Sequence, residues 1–234
     1  KLCKNISTLL LEQYLILIVW KLTVTKIDIL SDPICPWCLI GKTFLDRALK
    51  ARPNHNFKLE WHPYMLNPTM QLSGMNRKDY LTTKFGSKEN AKKVYLNIKK
   101  TALDHKIQIN FNDIKRTPNT LNAHRLIHWA GLEQKQNSAV DLLFSEYFVN
   151  GNDISNENIL INIANKIEMN KENIAQSINS DEDLKNINDR IQNAGKKGVN
   201  GVPCFIIDNQ YVLQGAQSTE LWIQVIDETS NKKA

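Results

Sequence analysis

Residues 23–30, TVTKIDIL, alternate apolar and polar positions and then turn continuously apolar, the pattern of a strand buried on both faces. A second alternating run, FKLEWHPY at 57–64, sets Phe57, Leu59 and Trp61 against Lys58, Glu60 and His62 and reads as a strand ending at Pro63. Between them, CPWCLIGKTFLDRALKA places Leu39, Phe44, Leu45, Ala48 and Leu49 near helical spacing, with Pro36 where a first helical turn tolerates proline. Strand, helix, strand predicts a right-handed βαβ unit if the two strands run parallel in one sheet.

From Arg77 to about Ala194 nearly every segment carries helical spacing: 88–105, 119–131, 137–149, 156–169 and 180–194, with a loop at 113–118. The pattern changes again at GVNGVPCFIIDNQYVLQGAQ. Glycines and Pro203 lead into an apolar run at 204–207, a tight turn at 208–210 and a second short run at 211–213, which together read as a β-hairpin. Ser218 or Thr219 with Glu220 caps a last helix whose apolar face is Leu221, Trp222, Val225 and Ile226. β-rich ends flank an α-rich middle, so the simplest architecture is an α/β fold with one sheet built from both ends and a helical insertion. Residues 23–66 and 195–230 would form the sheet domain, and 67–194 the insertion. No internal repeat is visible.

At 234 residues and 42% hydrophobic, the chain can bury one good core with a second lobe inserted into it. The 30 Lys and Arg are scattered among 24 acids without a run of five like charges, so the net charge of +6 describes a solvated surface rather than a nucleic-acid footprint. Residues 1–22 have a short basic start and an apolar run from Tyr14 to Trp20, but Glu12 interrupts it, no small-residue cleavage site precedes Thr23, and the run is too short to span a bilayer. A mis-set or truncated start is the expected reading, with an export signal as the alternative. A cytoplasmic location is expected, or a periplasmic one if the leader is real.

Four cysteines, Cys3, Cys35, Cys38 and Cys204, are too few and too unevenly placed for a disulfide framework. The close pair sits where a strand gives way to a helix. Unpaired N–H groups and the dipole at a helix start stabilise negative charge on the first cysteine, and the second, one turn further in, can reach back to break a mixed disulfide. On this reading Cys35 is the nucleophile and Cys38 the resolver, while Pro36 stiffens the turn and Trp37 offers an apolar shelf for an unfolded polypeptide. Other readings stay open. The pair is half of a tetrahedral zinc site, but its other half would have to come from Cys204, His55, His62, His105, or the i, i+4 pair His124 and His128, where packing is the commoner role. It could also be an inert structural pair. A cysteine hydrolase would leave Cys38 without a role.

Four blocks, KIDILSDPICPWCLIG, EWHPYMLNPTM, NTLNAHRLIHWA and GVNGVPCFIIDNQYVLQGAQ, resemble in order and spacing the DsbA-family thioredoxin-like oxidoreductases of the FrnE-like branch, over about residues 24–228. The resemblance implies a thioredoxin fold interrupted by a helical domain and a protein disulfide oxidoreductase needing no metal or organic cofactor. Its substrates would be polypeptides or small thiols and disulfides, glutathione among them, with no membrane partner. It also implies a cis Val202–Pro203 peptide facing the C-P-W-C turn, where an extended substrate could pair with the backbone; without the resemblance, a trans strand-edge proline is the ordinary expectation. Asp28, in the strand leading to the turn, is either a buried proton relay or, as we expect, an ordinary sheet-end acid. Cys204 is expected to pack in the sheet rather than form an off-pathway disulfide. Kappa-type glutathione transferases and 2-hydroxychromene-2-carboxylate isomerases are similar in the insertion and the G-V-P block. They usually carry serine at the position of Cys35, so the two cysteines here favour dithiol chemistry.

Overall fold

The structure is a computed structural model that describes residues 24–196 and 199–231. The leader at 1–22, with its export reading, lies outside the described residues. Strand β1 (Thr25–Ser31) leads into helix α1 (Pro36–Ala51) and strand β2 (Phe57–Pro63). β1 pairs in parallel with β2, Ile27 against Leu59 and Ile29 against Trp61, as the strand–helix–strand pattern predicts. On its other side β1 runs antiparallel to β5 (Cys204–Ile207), which pairs with β6 (Tyr211–Gln214) to give the order β2-β1-β5-β6. β1 is therefore central, and all of its residues except Lys26 are buried. The β5–β6 turn places Asp208 and Asn209 at φ 47° and 56°, the left-handed pair that a type I′ hairpin requires.

The segment between β2 and β5 is helical: α2 (Arg77–Phe85), α3 (Lys88–Asp104), α4 (Leu121–Leu132), α5 (Gln136–Phe144), α6 (Glu157–Lys166), α7 (Lys171–Ile178) and α8 (Leu184–Lys196). Short polar side chains start several of them. Asn76, Ser87, Asn156 and Asn170 accept the N–H of Lys78, Asn90, Asn158 and Asn173, so three asparagines and a serine serve as N-caps. Two details depart from the pattern-based expectation. The helix expected over 137–149 widens into a π-turn at Ser145–Val149, which lets the adjacent rings of Tyr147 and Phe148 both reach full burial. Within the expected loop at 113–118, β4 (Arg116–Thr117) pairs with β3 (Met75–Asn76), a ladder too short to show periodicity.

One core runs through both the sheet and the helices, from Ile27, Ile29 and Phe205 to Leu126, Phe144 and Phe148, and it includes Cys35 and Cys38. Side chains tie the helices to the sheet. Gln136, at the start of α5, accepts from the Trp61 N–H at 2.8 Å and donates to its carbonyl at 3.1 Å, in the manner of an added strand on the β2 edge. Lys42 of α1 is 4% exposed and pairs with Asp46 at 2.6 Å and with Asp141 of α5. The closing helix α9 (Thr219–Asn231) lies on α1, held by a two-pronged Arg52–Asp227 pair and by Trp222 packed edge-on to Phe205 at 4.9 Å.

Candidate active site

Cys35 caps α1 with extended backbone (φ −86°, ψ 113°), and Pro36 follows as the first helical residue. Its N–H bonds the Asp32 carbonyl at 2.9 Å, and its carbonyl accepts from the N–H of Cys38 at 3.0 Å. These bonds fix a tight turn whose first sulfur stands at the open end of the helix, where the free amides and the dipole favour an anion. The Cys35 thiol donates to the Val202 carbonyl oxygen at 3.6 Å. The Val202–Pro203 peptide is cis. Trp37 is half-buried against the core beside the turn. All six residues singled out in the sequence, Cys35, Pro36, Trp37, Cys38, Val202 and Pro203, thus belong to one neighbourhood.

Cys38 is more deeply enclosed, at 1% exposure. Burial, and then the neighbouring Cys35, push its thiol well above the usual range, although the Ser31 hydroxyl and the Asp32 N–H bond its sulfur. Gly41 lets α1 approach the proline loop, because a Cβ there would lie 3.1 Å from Pro203 Cγ and 3.3 Å from Ala216 Cα.

The buried acid of the site is Asp32 rather than Asp28. Asp32 is fully buried behind the turn, accepting from the N–H groups of Ile34 at 3.3 Å and Leu66 at 2.7 Å. Burial pushes its carboxyl up to about 7, against the pull of those bonds. His124 Nε2 stands 3.9 Å from Asp32 and bonds the Tyr64 carbonyl, and burial drives this imidazole down to about 4, so it is a neutral neighbour rather than an ionic partner. The sequence signal for Asp32 was its place three residues before Cys35, in the S-D-P that ends the strand. Asp28, expected as a sheet-end acid, lies instead in the middle of β1, opposite Glu60 and Ile206; it pairs with Lys26 at 2.8 Å and His62 at 2.6 Å, and although burial raises its carboxyl, these bonds outweigh that and hold it below the ordinary range.

Asp28, Glu60 and His62 converge closely enough to offer metal ligands, but the Lys26 ammonium lies 2.8 Å from both carboxylates and fills that role. His128 is engaged by a cation as well: its Nδ1 accepts from Arg190 at 2.9 Å. Cys204 is fully buried in a separate small cluster with Leu30, Ala194 and Val199, apart from the core that holds Cys35 and Cys38, as its packing role predicts.

A family model, the DSBA-like thioredoxin domain, matches residues 26–226. The chain belongs to the DSBA-like thioredoxin family. Membership places it among thiol–disulfide oxidoreductases. The chain is similar to YwbO of Bacillus subtilis (strain 168), 23% identical over 88% of this chain and 98% of that protein's length. The crystal structure of the probable DsbA oxidoreductase SCO1869 from Streptomyces coelicolor is 22% identical, covers 90% of this chain and 92% of its own, and superposes with a TM-score of 0.79. The cytosolic disulfide reductase DsbM from Pseudomonas aeruginosa, solved with GSH, is 15% identical over 88% of this chain and 99% of its own, with a TM-score of 0.64. At these identities the likeness is one of fold. Among the described residues, no helix is long and apolar enough to cross a membrane.

Proposed function

We propose that this DSBA-like protein is a protein disulfide oxidoreductase of the FrnE-like branch, cycling between dithiol and disulfide at Cys35 and Cys38. The observation that carries the reading is the placement of Cys35 at the opening of α1, its sulfur 3.6 Å from the Val202 carbonyl, with Cys38 enclosed one turn behind it. In the reducing direction the Cys35 thiolate attacks a substrate disulfide, forming a mixed disulfide and releasing one substrate thiolate, which takes up a proton. Cys38 then gives up its proton and attacks the Cys35 sulfur. The mixed disulfide breaks, the second substrate thiol leaves, and two electrons have passed from the protein to the substrate. Two molecules of a small thiol such as glutathione return the pair to the dithiol, the first forming a mixed disulfide with the protein and the second releasing it as the oxidised small-thiol disulfide, and the same steps run backwards when the protein oxidises.

Substrates, whether polypeptides or small thiols and disulfides, lie along Val202–Pro203 and the Trp37 side of the turn, and Pro36 keeps the turn rigid. The GSH in the DsbM structure supports a glutathione partner. We read residues 23–66 and 195–230 as the thioredoxin-like domain, 67–194 as its helical insertion, and the cytoplasm as the compartment.

Two variants test the reading. Cys35→Ser is expected to abolish insulin reduction, and Cys38→Ser to accumulate a mixed disulfide with substrate. Turnover at the parental rate in both variants would falsify the exchange mechanism. Continued glutathione-dependent turnover after Cys38→Ser alone would point instead to a transferase or isomerase of the kappa or 2-hydroxychromene-2-carboxylate isomerase kind.

A further inference from the structure

Folding gathers on α2 and α3 a charge that no run of like residues marks in the chain. Residues 77–106 hold nine of the 30 Lys and Arg and three of the 24 acids, which leaves 21 of each elsewhere, so this segment carries the whole net charge of +6. It folds as α2 and α3, packed against each other. On α3, Lys88, Ala91, Lys92, Tyr95, Leu96 and Lys99 recur at steps of three and four and therefore share one face.

Two grooves adjoin along that face. One, of about 400 Å³, lies between α2 and α3; the half-buried Leu81 and Tyr95 and the buried Ala91 form its floor, and the exposed Lys78, Lys88 and Lys92 its rim. The other, of about 510 Å³, lies between α3 and the segment at 109–113. Its floor is Tyr95, Ile109 and Phe111, and Leu96, 55% exposed, stands at its edge with Lys92 and Lys99; Asp113 is the acid that lines it. Tyr95, common to both, is fixed in place: its hydroxyl accepts from Arg77, and its ring meets Phe111 edge-on at 4.8 Å. The apolar floor is thus preformed.

Lys100, on the adjoining face, pairs with Asp104 at 2.5 Å, whereas among the described residues no carboxylate pairs with Lys78, Lys88, Lys92 or Lys99. Four ammonium groups around concave apolar walls focus a positive potential into the grooves. An occupant that matches them brings carboxylates for the rim and apolar side chains for the floor together. A nucleic acid brings phosphates but leaves the floor unfilled. An anionic bilayer takes up a protruding apolar face rather than a recessed one. A second copy of this face would set like charge against like, and residues 1–22, with Lys1, Lys4 and Lys21 against Glu12, also have the wrong sign.

We propose that the α2–α3 face is a docking surface for an acidic, amphipathic polypeptide segment, whose large apolar side chains enter the two grooves while its Asp and Glu pair with Lys78, Lys88, Lys92 and Lys99. The stripe from Lys88 to Lys99 is about 16 Å long, which about eleven helical residues or about five extended ones would cover. No cysteine lines either groove, so docking here is separate from thiol exchange.

The test uses the full chain and a fluorescein-labelled, cysteine-free peptide of Glu and Leu placed at helical period, read by fluorescence anisotropy. At low salt this peptide should bind in the micromolar range, and controls with Gln for Glu or Ser for Leu at least about tenfold more weakly. Lys88→Gln, Lys92→Gln and Lys99→Gln combined should weaken binding about tenfold, each exposed pair contributing a modest share, and Leu96→Gln about threefold. All four side chains are exposed, so these variants keep the fold, which the unfolding midpoint checks. Lys50→Gln, Lys58→Gln and Lys185→Gln combined remove the same charge from α1, β2 and α8, and should leave affinity within about twofold of the parent.

Equal losses in the two triple variants would mean that net charge alone attracts the peptide, and would overturn the docking surface. So would absence of binding at about 1 mM peptide, or equal affinity for the Glu–Leu peptide and its Ser control. A DNA duplex, or vesicles of phosphatidylcholine with phosphatidylglycerol, that bound through Lys88, Lys92 and Lys99 more tightly than the peptide would give the face to that partner and overturn the proposal. Because the probe has no thiol, its failure to bind would leave the exchange at Cys35 and Cys38 standing, and failure of that exchange would leave docking standing.

Discussion

The Cys35 sulfur and the Val202 carbonyl oxygen meet at 3.6 Å across 167 residues of chain, which joins the helix start to the proline loop. Gly41 keeps them together from behind, since a Cβ there would lie 3.1 Å from Pro203 Cγ and 3.4 Å from Phe205 Cζ. Gly41→Ala sets a helix-propensity gain of about 0.5–1 kcal/mol against mild crowding, and should be near neutral. Gly41→Val adds two further carbons where the core has no room. We expect it to cost about 2 kcal/mol in urea unfolding and to slow insulin reduction by displacing the proline loop from the Cys35 sulfur. Parental activity and stability in Gly41→Val would show that the loop position does not depend on this contact.

Asp32 and His124 give stability opposite pH dependences. Folding raises the Asp32 carboxyl from 3.8 to about 7, so between these values the folded protein keeps a proton that the unfolded chain has lost. Its contribution to stability therefore falls as pH rises through that window, by about 4 kcal/mol in all. Folding lowers His124 from 6.5 to about 4, so there the unfolded chain holds the extra proton and stability rises with pH. Below pH 6.5 the two nearly cancel. Asp32→Asn removes one of them, and its stability relative to the parent should climb by about 2 kcal/mol from pH 5 to pH 7 in urea titrations. A difference that does not change with pH would mean that Asp32 does not titrate in this range.

The sheet and the cysteine turn were legible because their signals are local. The continuous apolar run of β1 reports a strand covered on both faces, Pro36 marks the start of α1, and the Asp208–Asn209 turn has the residue types of a tight hairpin. The buried charges were not legible, because distance in space decides them. Asp28 and Asp32 are four residues apart, yet one is paired by Lys26 on its own strand and His62 on the next, whereas the other is enclosed by Leu66 and His124 from remote elements. Arg77, buried at the start of α2, is likewise surrounded by Tyr80, Tyr95, Thr117 and Tyr147, and no spacing in the chain announces that grouping.

Cys204 should be a bystander to the exchange. β-strand alternation sends its side chain to the small cluster with Leu30 and Val199, whereas that of the adjacent Phe205 enters the core shared with Cys35. Burial raises its thiol, so little thiolate is available there for a competing disulfide. Cys204→Ala is expected to lower stability by about 1 kcal/mol and to leave insulin reduction within about twofold of the parent. A marked gain in activity, with loss of a Cys204-linked disulfide from peptide maps of the oxidised parent, would restore the off-pathway role.

Gln136 makes the last prediction, because its amide does for the β2 edge what a neighbouring strand would do. Trp61 is 2% exposed, so its outward N–H and carbonyl have little access to water if the amide is removed. Gln136→Leu is nearly isosteric but satisfies neither group, and leaving both unpaired should cost about 3 kcal/mol, at about 1–3 kcal/mol for each buried polar group. Gln136→Glu keeps the acceptor for the Trp61 N–H and puts an oxygen against its carbonyl, so it should fall between the two. Hydrogen exchange separates this effect from general weakening. In Gln136→Leu the Trp61 amide should lose at least about tenfold more protection than the amides of β1, since only the edge has lost its partner. Equal losses in β1 and at Trp61 would mean that Gln136 contributes through packing at the start of α5, and that the β2 edge is held by other contacts.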